Sequence, residues 1–394
     1  MAKSLLFLQL LILSLLPAYA CAPIDLPPIE AAKSFQAEAD EKRLWEQSQT
    51  AKQRLEKAGL VYEDQELESY LNAVAARLIG DRLQGTNLAP KVKVVKDPFL
   101  NAFTFADGSI YFHTGILARM ENEAQLAAVM GHELTHFLNR DSVRKLRQKE
   151  SKAATARVMQ AVLILSVLGV FADKLPDAWV TAAVNGYSKE IETAADTGGL
   201  RTMVEAGYDP KESIRAINLL KQDWEEAKVK EPYFFGNIAR LQERVDNNEH
   251  LVRGEYQRQA NEPNRRVNGE EYSTHIHRLL LDNALLDLEL GRLRLAESSI
   301  AKHLAAEPQS PRGHFLMGEY HRRSGNNEEA VKAYARALAF DAQFADAHRE
   351  LGLVYRAQAR FGDAAAEFER YLTLAPTAVD APIIRGYIQQ VGTR

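Results

Sequence analysis

The sequence has almost no cysteine, since Cys21 is the single one in 394 residues. No disulfide can therefore close within the chain, and zinc fingers built on cysteine pairs are excluded. Basic residues are not in excess either: the chain has 49 Lys and Arg and 53 Asp and Glu, which gives a formal net charge of −4. The composition therefore gives no support to nucleic-acid binding. With 46% hydrophobic residues the chain is ordinary globular protein, long enough for two or three domains.

Long apolar runs are also scarce. Residues 5–16 form one run, preceded by Lys3 and followed by the small residues of Ala18-Tyr19-Ala20. This three-part pattern predicts an export signal peptide over residues 1–20. A second run covers residues 158–171 and predicts either a core helix or a mobile, partly exposed lid. Both runs are too short to span a bilayer.

Cys21 directly follows the predicted signal peptide. The arrangement resembles the lipobox of bacterial lipoproteins, although Ala18 stands where that box usually has Leu. Two readings stay open: a lipoprotein acylated at Cys21, or a soluble exported protein cut at an ordinary A-x-A site. Ala22 rather than Asp would direct a lipoprotein to the outer membrane. Residues 21–29 are rich in proline and predict an extended tether.

The pattern of the next residues predicts a mainly α (α+β) protein. Residues 30–84 read as helical, with a buried stripe of Leu67, Tyr70, Val74 and Leu78. Three short strands follow at 91–95, 101–106 and 109–113, the last two joined by the hairpin turn Asp107-Gly108. One long helix is predicted for 115–139 and another for 193–206.

The run His132-Glu133-Leu134-Thr135-His136 lies in the predicted helix at 115–139. Residues four apart share one helix face, so both imidazoles can bind one metal ion. Glu133 can then take a proton from the attacking water, which is the arrangement of zinc peptidases. The alternative is an amphipathic helix with two partly buried histidines.

A catalytic zinc usually has three protein ligands, so a third is expected downstream. Glu192 and Asp196 are four residues apart and share one face of a predicted helix. Glu192 can reach a metal, and Asp196 can accept a hydrogen bond from a ligating histidine. Taken alone, a solvated acidic helix face explains Glu190 and Glu192 equally well.

The C-terminal third repeats with a period of 34 residues. The aligned positions are Ala296, Ala330 and Ala364; Ile300, Tyr334 and Phe368; and Ala284, Gly318 and Gly352. Gly291 and Gly325 fall at the turns between helices. The period resembles the tetratricopeptide repeat, which stacks helical hairpins into a concave binding surface. These repeats either bind peptides or protein partners, or shield the preceding domain.

Together these motifs resemble the HtpX/Oma/CAAX-prenyl-protease superfamily of gluzincin metallopeptidases. Within it they are similar to the exported, BepA-like bacterial branch, which carries C-terminal tetratricopeptide repeats. The resemblance rests on Asn101-Ala102-Phe103, Thr114-Gly115-Ile116-Leu117, Gly131-His132-Glu133-Leu134-Thr135-His136, the Ser188–Asp196 motif and Gly207-Tyr208-Asp209-Pro210. It implies one zinc ion per chain held by His132, His136 and Glu192, with Glu133 as general base and Asp196 supporting a ligand.

One expected residue of the exported branch is missing. That branch often has a His-Pro pair six residues before an arginine, and the histidine can close the open zinc position. Counting back from Arg244 gives Ile238, preceded by Asn237, and no histidine occurs between His136 and His250. A self-inhibiting histidine is therefore in doubt, and regulation by residues 158–171 is an alternative.

The resulting hypothesis is a gluzincin-type helical domain with a small β-sheet at residues 30–250, a linker at 251–272 and a repeat solenoid at 273–394. It implies a periplasmic endopeptidase acting on unfolded or misassembled envelope proteins. The repeats would contact substrates or outer-membrane assembly machinery, and only a lipid on Cys21 would contact a membrane. The strand at Ser109, Ile110 and Tyr111 is expected to align an extended substrate, and His113 is either an extra donor or structural. The competing hypothesis is a periplasmic chaperone that acts through its repeats and has a latent zinc site.

Overall fold

A computed structural model describes residues 26–30, 35–153, 187–226 and 238–391 of the chain. Helices dominate, with one small sheet, which confirms the predicted mainly α (α+β) class. The predicted signal peptide, Cys21 and the apolar run at 158–171 lie outside the described residues, and so does Asn237. Within the four described ranges, no helix is both long and apolar enough to cross a membrane.

The elements that precede the repeats surround one hydrophobic core. In chain order they are α1 (Ala39–Lys57), α2 (Gln65–Ile79), β1 (Val92–Val95), β2 (Ala102–Thr104), β3 (Ile110–His113), α3 (Thr114–Arg119), α4 (Glu123–Leu138), α5 (Asp141–Ala153), α6 (Lys189–Glu205), α7 (Lys211–Glu226), α8 (Ile238–Arg253) and α9 (Gln257–Ala260). The predicted stripe on α2 is buried in this core, as expected for an amphipathic helix.

The three strands form a sheet in the order β1-β3-β2. Strand β3 pairs parallel to β1 and antiparallel to β2. The predicted hairpin turn is confirmed: Gly108 has a φ of +85°, which favours glycine, and the Asp107 side chain accepts the Ser109 N–H at 3.1 Å. Helix α1 holds the tip of this hairpin, because the Trp45 indole N–H donates to the Ala106 carbonyl at 2.8 Å and Lys52 pairs with Asp107.

The single helix predicted for residues 115–139 is wrong, because the chain forms two helices there, α3 and α4. Met120 leaves the helical region, with a ψ of 152°. The Asn122 side chain then accepts the Gln125 N–H at 2.9 Å and caps α4. An asparagine side chain that accepts a first-turn N–H in this way favours the start of a helix, so a new helix, α4, begins at Glu123.

The last residues of the predicted tether lie against helices α4 and α5 instead of standing free. Leu26 and Ile29 are buried. The Ile29 N–H donates to the Leu138 carbonyl at 2.7 Å, and Arg144 donates to the Leu26 carbonyl at 3.0 Å. Residues 26–30 are therefore part of the folded body.

Residues 251–272, predicted as a linker, are also packed, since Val252, Tyr256, Ala260 and Tyr272 belong to the main core. The next helix, α10 (Gly269–Glu289), and its partner α11 (Leu293–Ala306) attach to α3 through charged side chains. Arg119 donates to Asp287 at 3.0 Å, and Lys302 donates to two carbonyls at the end of α3, those of Ala118 and Arg119. The first repeat hairpin is thus fixed to the preceding domain.

The repeats stack as predicted. Their further helices are α12 (Pro311–Arg323), α13 (Asn327–Phe340), α14 (Ala345–Ala357), α15 (Phe361–Leu374) and α16 (Ala381–Val391). The aligned small and aromatic residues meet between the helices of a hairpin: a Cβ on Gly352 would lie 2.6 Å from the Phe368 ring. Gly291 and Gly325 have positive φ at the hairpin turns, and Ala359 takes the same conformation in the third turn, with φ +60°.

Candidate metal centre and active site

Helix α4 carries the His-Glu-x-x-His motif through the middle of the core. Its residues from Glu123 to Phe137 are buried except Ala128, so the helix is surrounded by protein on all sides. His132 and His136 are 3% and 2% exposed, and Glu133 is fully buried. Buried polar groups of this kind need partners, and the neighbouring elements supply them.

Helix α6 crosses α4 at very short distance because glycines meet at the crossing. A Cβ on Gly199 would lie 2.6 Å from the backbone nitrogen of His132, and one on Gly131 would lie 2.9 Å from the Gly199 carbonyl oxygen. Only residues without a side chain allow this approach. It places Glu192 and Asp196, near the start of α6, beside the two histidines of α4.

The predicted ligands come together. The Nε2 atoms of His132 and His136 are 3.1 Å apart, and Glu192 Oε2 lies 3.5 Å and 4.0 Å from them. In the described part of the chain, these three residues are the only group of three or more His, Cys, Asp or Glu that could hold a metal ion. Donor atoms at three corners of a zinc tetrahedron are about 3.3 Å apart, given metal–ligand distances near 2.0–2.1 Å, so the spacing fits.

The opposite ring nitrogen of each histidine is held by a carboxylate. His132 Nδ1 donates to Asp196 at 2.9 Å, as the sequence predicts, and His136 Nδ1 donates to Asp141 at 2.8 Å. With Nδ1 facing a carboxylate in each ring, Nε2 is the atom left to hold a metal ion or, without one, a proton. Asp141 was not predicted from the sequence; its signal is a carboxylate at the start of the helix that follows the motif.

Arg244 on α8 is a further residue that the sequence analysis did not assign to the site. Its buried guanidinium donates to both oxygens of Asp196, at 2.8 Å and 2.6 Å. A two-point pair of this kind fixes the carboxylate plane. Arg244 therefore orients Asp196, which in turn orients the His132 ring.

The charges of the site favour a cation near Glu192. Desolvation and the charge of Arg244 lower the pKa of His132, but Asp196 and Glu192 outweigh them and raise it to about 9. Burial raises the pKa of Glu192, yet the two histidines prevail and lower it to about 2. Burial raises the pKa of Glu133 above its usual value, although His132 and His136 act to lower it.

The prediction that Ser109, Ile110 and Tyr111 align a substrate strand is wrong, because β3 is the central strand and both its edges are paired. Strand β2 lies at the edge of the sheet, next to α4. Antiparallel alternation directs the backbone of Phe103 to β3 and the backbone groups of Ala102 and Thr104 away from it. Among the described residues, β1 and β2 are the edge strands of the sheet, and β2 is the one that packs beside α4.

His113 does not join the metal cluster. Its ring is 2% exposed and its Nδ1 lies 3.3 Å from Asp97, with the ring edge against Phe103. Asp97 also accepts the Phe99 N–H at 2.9 Å, which anchors the loop before β2. These contacts favour the structural reading of His113.

We expect Gly199→Ala to destabilise the fold by about 1–3 kcal/mol, the cost of overpacking, and to weaken zinc binding. The added methyl group would separate α6 from α4 and so move Glu192 away from the histidines. Thermal unfolding and zinc competition with a chelating dye measure the two effects. Gly362→Ala is the matched control, since nothing lies within 4 Å of its Cβ position. Unchanged zinc affinity in Gly199→Ala would contradict this role of the crossing.

Comparison with known proteins agrees with this geometry. Residues 63–275 match the model of peptidase family M48, and residues 318–358 match a TPR repeat model. The putative beta-barrel assembly-enhancing protease of Vibrio cholerae is 25% identical over 221 residues, covering 53% of this chain and 44% of that protein. The beta-barrel assembly-enhancing protease of Escherichia coli is 26% identical over 161 residues, covering 37% and 31%.

A mitochondrial relative matches over the same kind of span. The mitochondrial metalloendopeptidase OMA1 of Schizosaccharomyces pombe is 31% identical over 157 residues, covering 40% of this chain and 42% of that protein. The chain thus spans less than half the length of these curated relatives. The family match itself covers more than half of the 394 residues. This chain therefore belongs to peptidase family M48 and carries tetratricopeptide repeats after its peptidase domain.

Proposed function

We propose that this protein is a zinc-dependent endopeptidase of the bacterial cell envelope that hydrolyses unfolded or misassembled proteins. One observation carries the proposal: two histidines and a glutamate converge beside a buried glutamate, and each histidine is held from behind by a carboxylate. A histidine pair with a purely structural role needs neither a nearby third ligand nor a supporting carboxylate behind each ring. The family membership supports the same chemistry.

His132, His136 and Glu192 would hold one zinc ion per chain. Two imidazoles and one carboxylate are a ligand set typical of catalytic zinc, and they leave one position for water or substrate. When bound, zinc supplies a Lewis acid for the scissile carbonyl and an acidified attacking water. Asp196, Asp141 and Arg244 would keep the ligands in the required orientation.

Glu133 would act as the general base. Its carboxylate is buried beside the ligands, and burial raises its pKa. It would take the proton of the attacking water and then deliver it to the nitrogen of the leaving amine. The same carboxylate therefore serves in both halves of peptide hydrolysis.

The edge of β2 that has no neighbouring strand in the described ranges would bind the substrate as an added strand. Backbone pairing of this kind requires an extended chain and places few demands on its side chains. Folded proteins rarely expose such a segment, whereas unfolded or misassembled ones do. The position of β2 beside Glu133 thus favours unfolded protein as the substrate class.

The repeats would bring partners or substrates to this site. Two of the relatives are named for the assembly of β-barrels, so outer-membrane assembly machinery is the proposed partner. The predicted export signal and Cys21 favour the periplasm, with an outer-membrane lipid anchor if Cys21 is acylated. The first hairpin is fixed to the peptidase domain by Arg119 and Asp287, which would hold the repeats in a constant position.

A chaperone that acts through the repeats is the second candidate, favoured by the three stacked hairpins from α10 to α15 and the helix α16 that follows them. One variant, Glu133→Gln, distinguishes the peptidase function from the chaperone function. Full-length Glu133→Gln that still keeps an unfolded protein soluble would support a chaperone activity beside the peptidase. Equal envelope function of Glu133→Gln and wild type in the source cell would make the chaperone the main function.

The proposed activity is tested by cleavage of fluorescent casein by protein lacking residues 1–21. We expect cleavage that stops on addition of a zinc chelator and returns when about one equivalent of zinc is restored, because the three ligands hold a single ion. A serine-protease inhibitor should have no effect. Cleavage that survives complete zinc removal would refute the proposal.

A further inference from the structure

Thr104 contacts the proposed base from β2, an edge strand of the described sheet. Its hydroxyl donates to Glu133 Oε2 at 2.9 Å and lies 3.2 Å from the Glu133 backbone carbonyl oxygen. Thr104 is the last residue of β2, and α4 packs against this strand. The contact therefore joins the residue that would perform chemistry to the strand that would bind substrate.

The two oxygens of the Glu133 carboxylate differ in their surroundings. Across the described ranges, Thr104 is the only hydrogen-bond donor to Oε2, and the equally buried Oε1 has no hydrogen-bond partner. A buried carboxylate oxygen without a donor is costly unless a reacting group or solvent meets it. The charges of His132, His136 and Glu192, the three candidate metal ligands, act on this carboxylate.

The hydroxyl of Thr104 restricts the torsion that decides which way the carboxylate faces. The terminal torsion of glutamate is broad and roughly two-fold, so an unrestrained carboxylate samples many orientations. A charge-assisted hydrogen bond to one oxygen removes that freedom. An alanine or valine at this position has no donor to do so.

We infer that Thr104 is a positioning residue for the base: it holds Glu133 Oε2, so that Oε1 is the atom that takes the proton of the attacking water. This inference rests on the proposed peptidase function and deepens it. Because the backbone groups of Thr104 point away from β3, an extended substrate that pairs with that edge of β2 also restrains the residue that orients the base. Thr104 would therefore contribute both to substrate binding and to the orientation of the base.

Thr104→Val and Thr104→Ser test the inference in protein with its zinc bound. Valine keeps the shape and removes the donor, whereas serine keeps the donor. We expect Thr104→Val to lower kcat about tenfold, part of the 10²–10⁴-fold contribution of a general base, with KM within about twofold. Thr104→Ser should restore kcat to within about threefold of wild type. Zinc content should be the same in all three proteins.

A double-mutant cycle with Glu133→Gln shows whether the effect passes through the base, because an effect that acts only through Glu133 disappears when that carboxylate is absent. Thr114→Val is the matched control, since it removes a buried threonine hydroxyl that bonds to Asp97 instead. A folded, zinc-loaded Thr104→Val with wild-type kcat would overturn the inference, and so would Thr104→Ser as slow as Thr104→Val. Failure of the peptidase proposal itself is recognised separately, by wild-type protein that cleaves nothing.

Discussion

Glu133→Gln is expected to bind one zinc ion and to lose cleavage by about a thousandfold, within the range for loss of a general base. The amide has the size of the carboxylate and lies outside the three-residue ligand cluster, so the metal site should be retained. It cannot accept the proton of the attacking water, so the chemical step should fail. Initial rates of casein cleavage at equal zinc content measure the effect.

The control for this variant is Glu190→Gln, the same substitution at an exposed position of α6. It should cleave at the wild-type rate, because Glu190 lies on the solvent side of the helix. Residual activity of Glu133→Gln within tenfold of wild type would show that another group acts as the base. Loss of zinc in this variant would mean that Glu133 belongs to the ligand set instead.

Arg244→Ala is expected to destabilise the protein by about 3–5 kcal/mol, because it removes one partner of a buried ion pair and leaves the charge of the other uncompensated. Asp196 would lose both of its guanidinium hydrogen bonds and could no longer orient His132. Zinc affinity should therefore fall by about 10–100-fold, as is typical when a residue that supports a ligand is removed. Thermal unfolding with and without zinc, and zinc competition, measure both.

Two variants define the specificity of this effect. Arg244→Lys keeps the charge but cannot bind both Asp196 oxygens, so it should recover stability better than zinc affinity. Arg253→Ala, on the same helix with a side chain 78% exposed, should change neither. Wild-type zinc affinity in Arg244→Ala would show that Asp196 needs no support, and the proposed chain of orientation from α8 to His132 would be incorrect.

The features that depend on local sequence were predictable. The histidine spacing on α4 follows from helix geometry, and the Asp107-Gly108 turn follows from the positive φ of Gly108. The repeat was visible because one packing contact, small residue against aromatic ring, recurs along the chain. Glu192 was named as a ligand through the family resemblance, since its own spacing with Asp196 also suits a solvated face.

The features that depend on distant parts of the chain were missed. The sequence pattern of β3 does not reveal that β1 lies on its other side, so the free edge was assigned to the wrong strand. Arg244 acts through a contact formed only when α8 packs beside α6, whereas Asp141 lies five residues after His136 and was overlooked although its signal is local. The break between α3 and α4 was also missed although its signal is local, since one side chain, Asn122, caps α4 and overrides a continuous apolar pattern.

The most direct test of the metal centre is the zinc content of purified protein, combined with zinc-edge X-ray absorption. The account predicts one zinc per chain, bound by two imidazole nitrogens and at least one oxygen at about 2.0–2.2 Å, with no sulfur ligand. In a variant with His132 and His136 both changed to alanine, the bound zinc should be lost. Protein that holds no zinc after incubation with the metal and dialysis, or a double variant that still holds a full equivalent, would contradict the account.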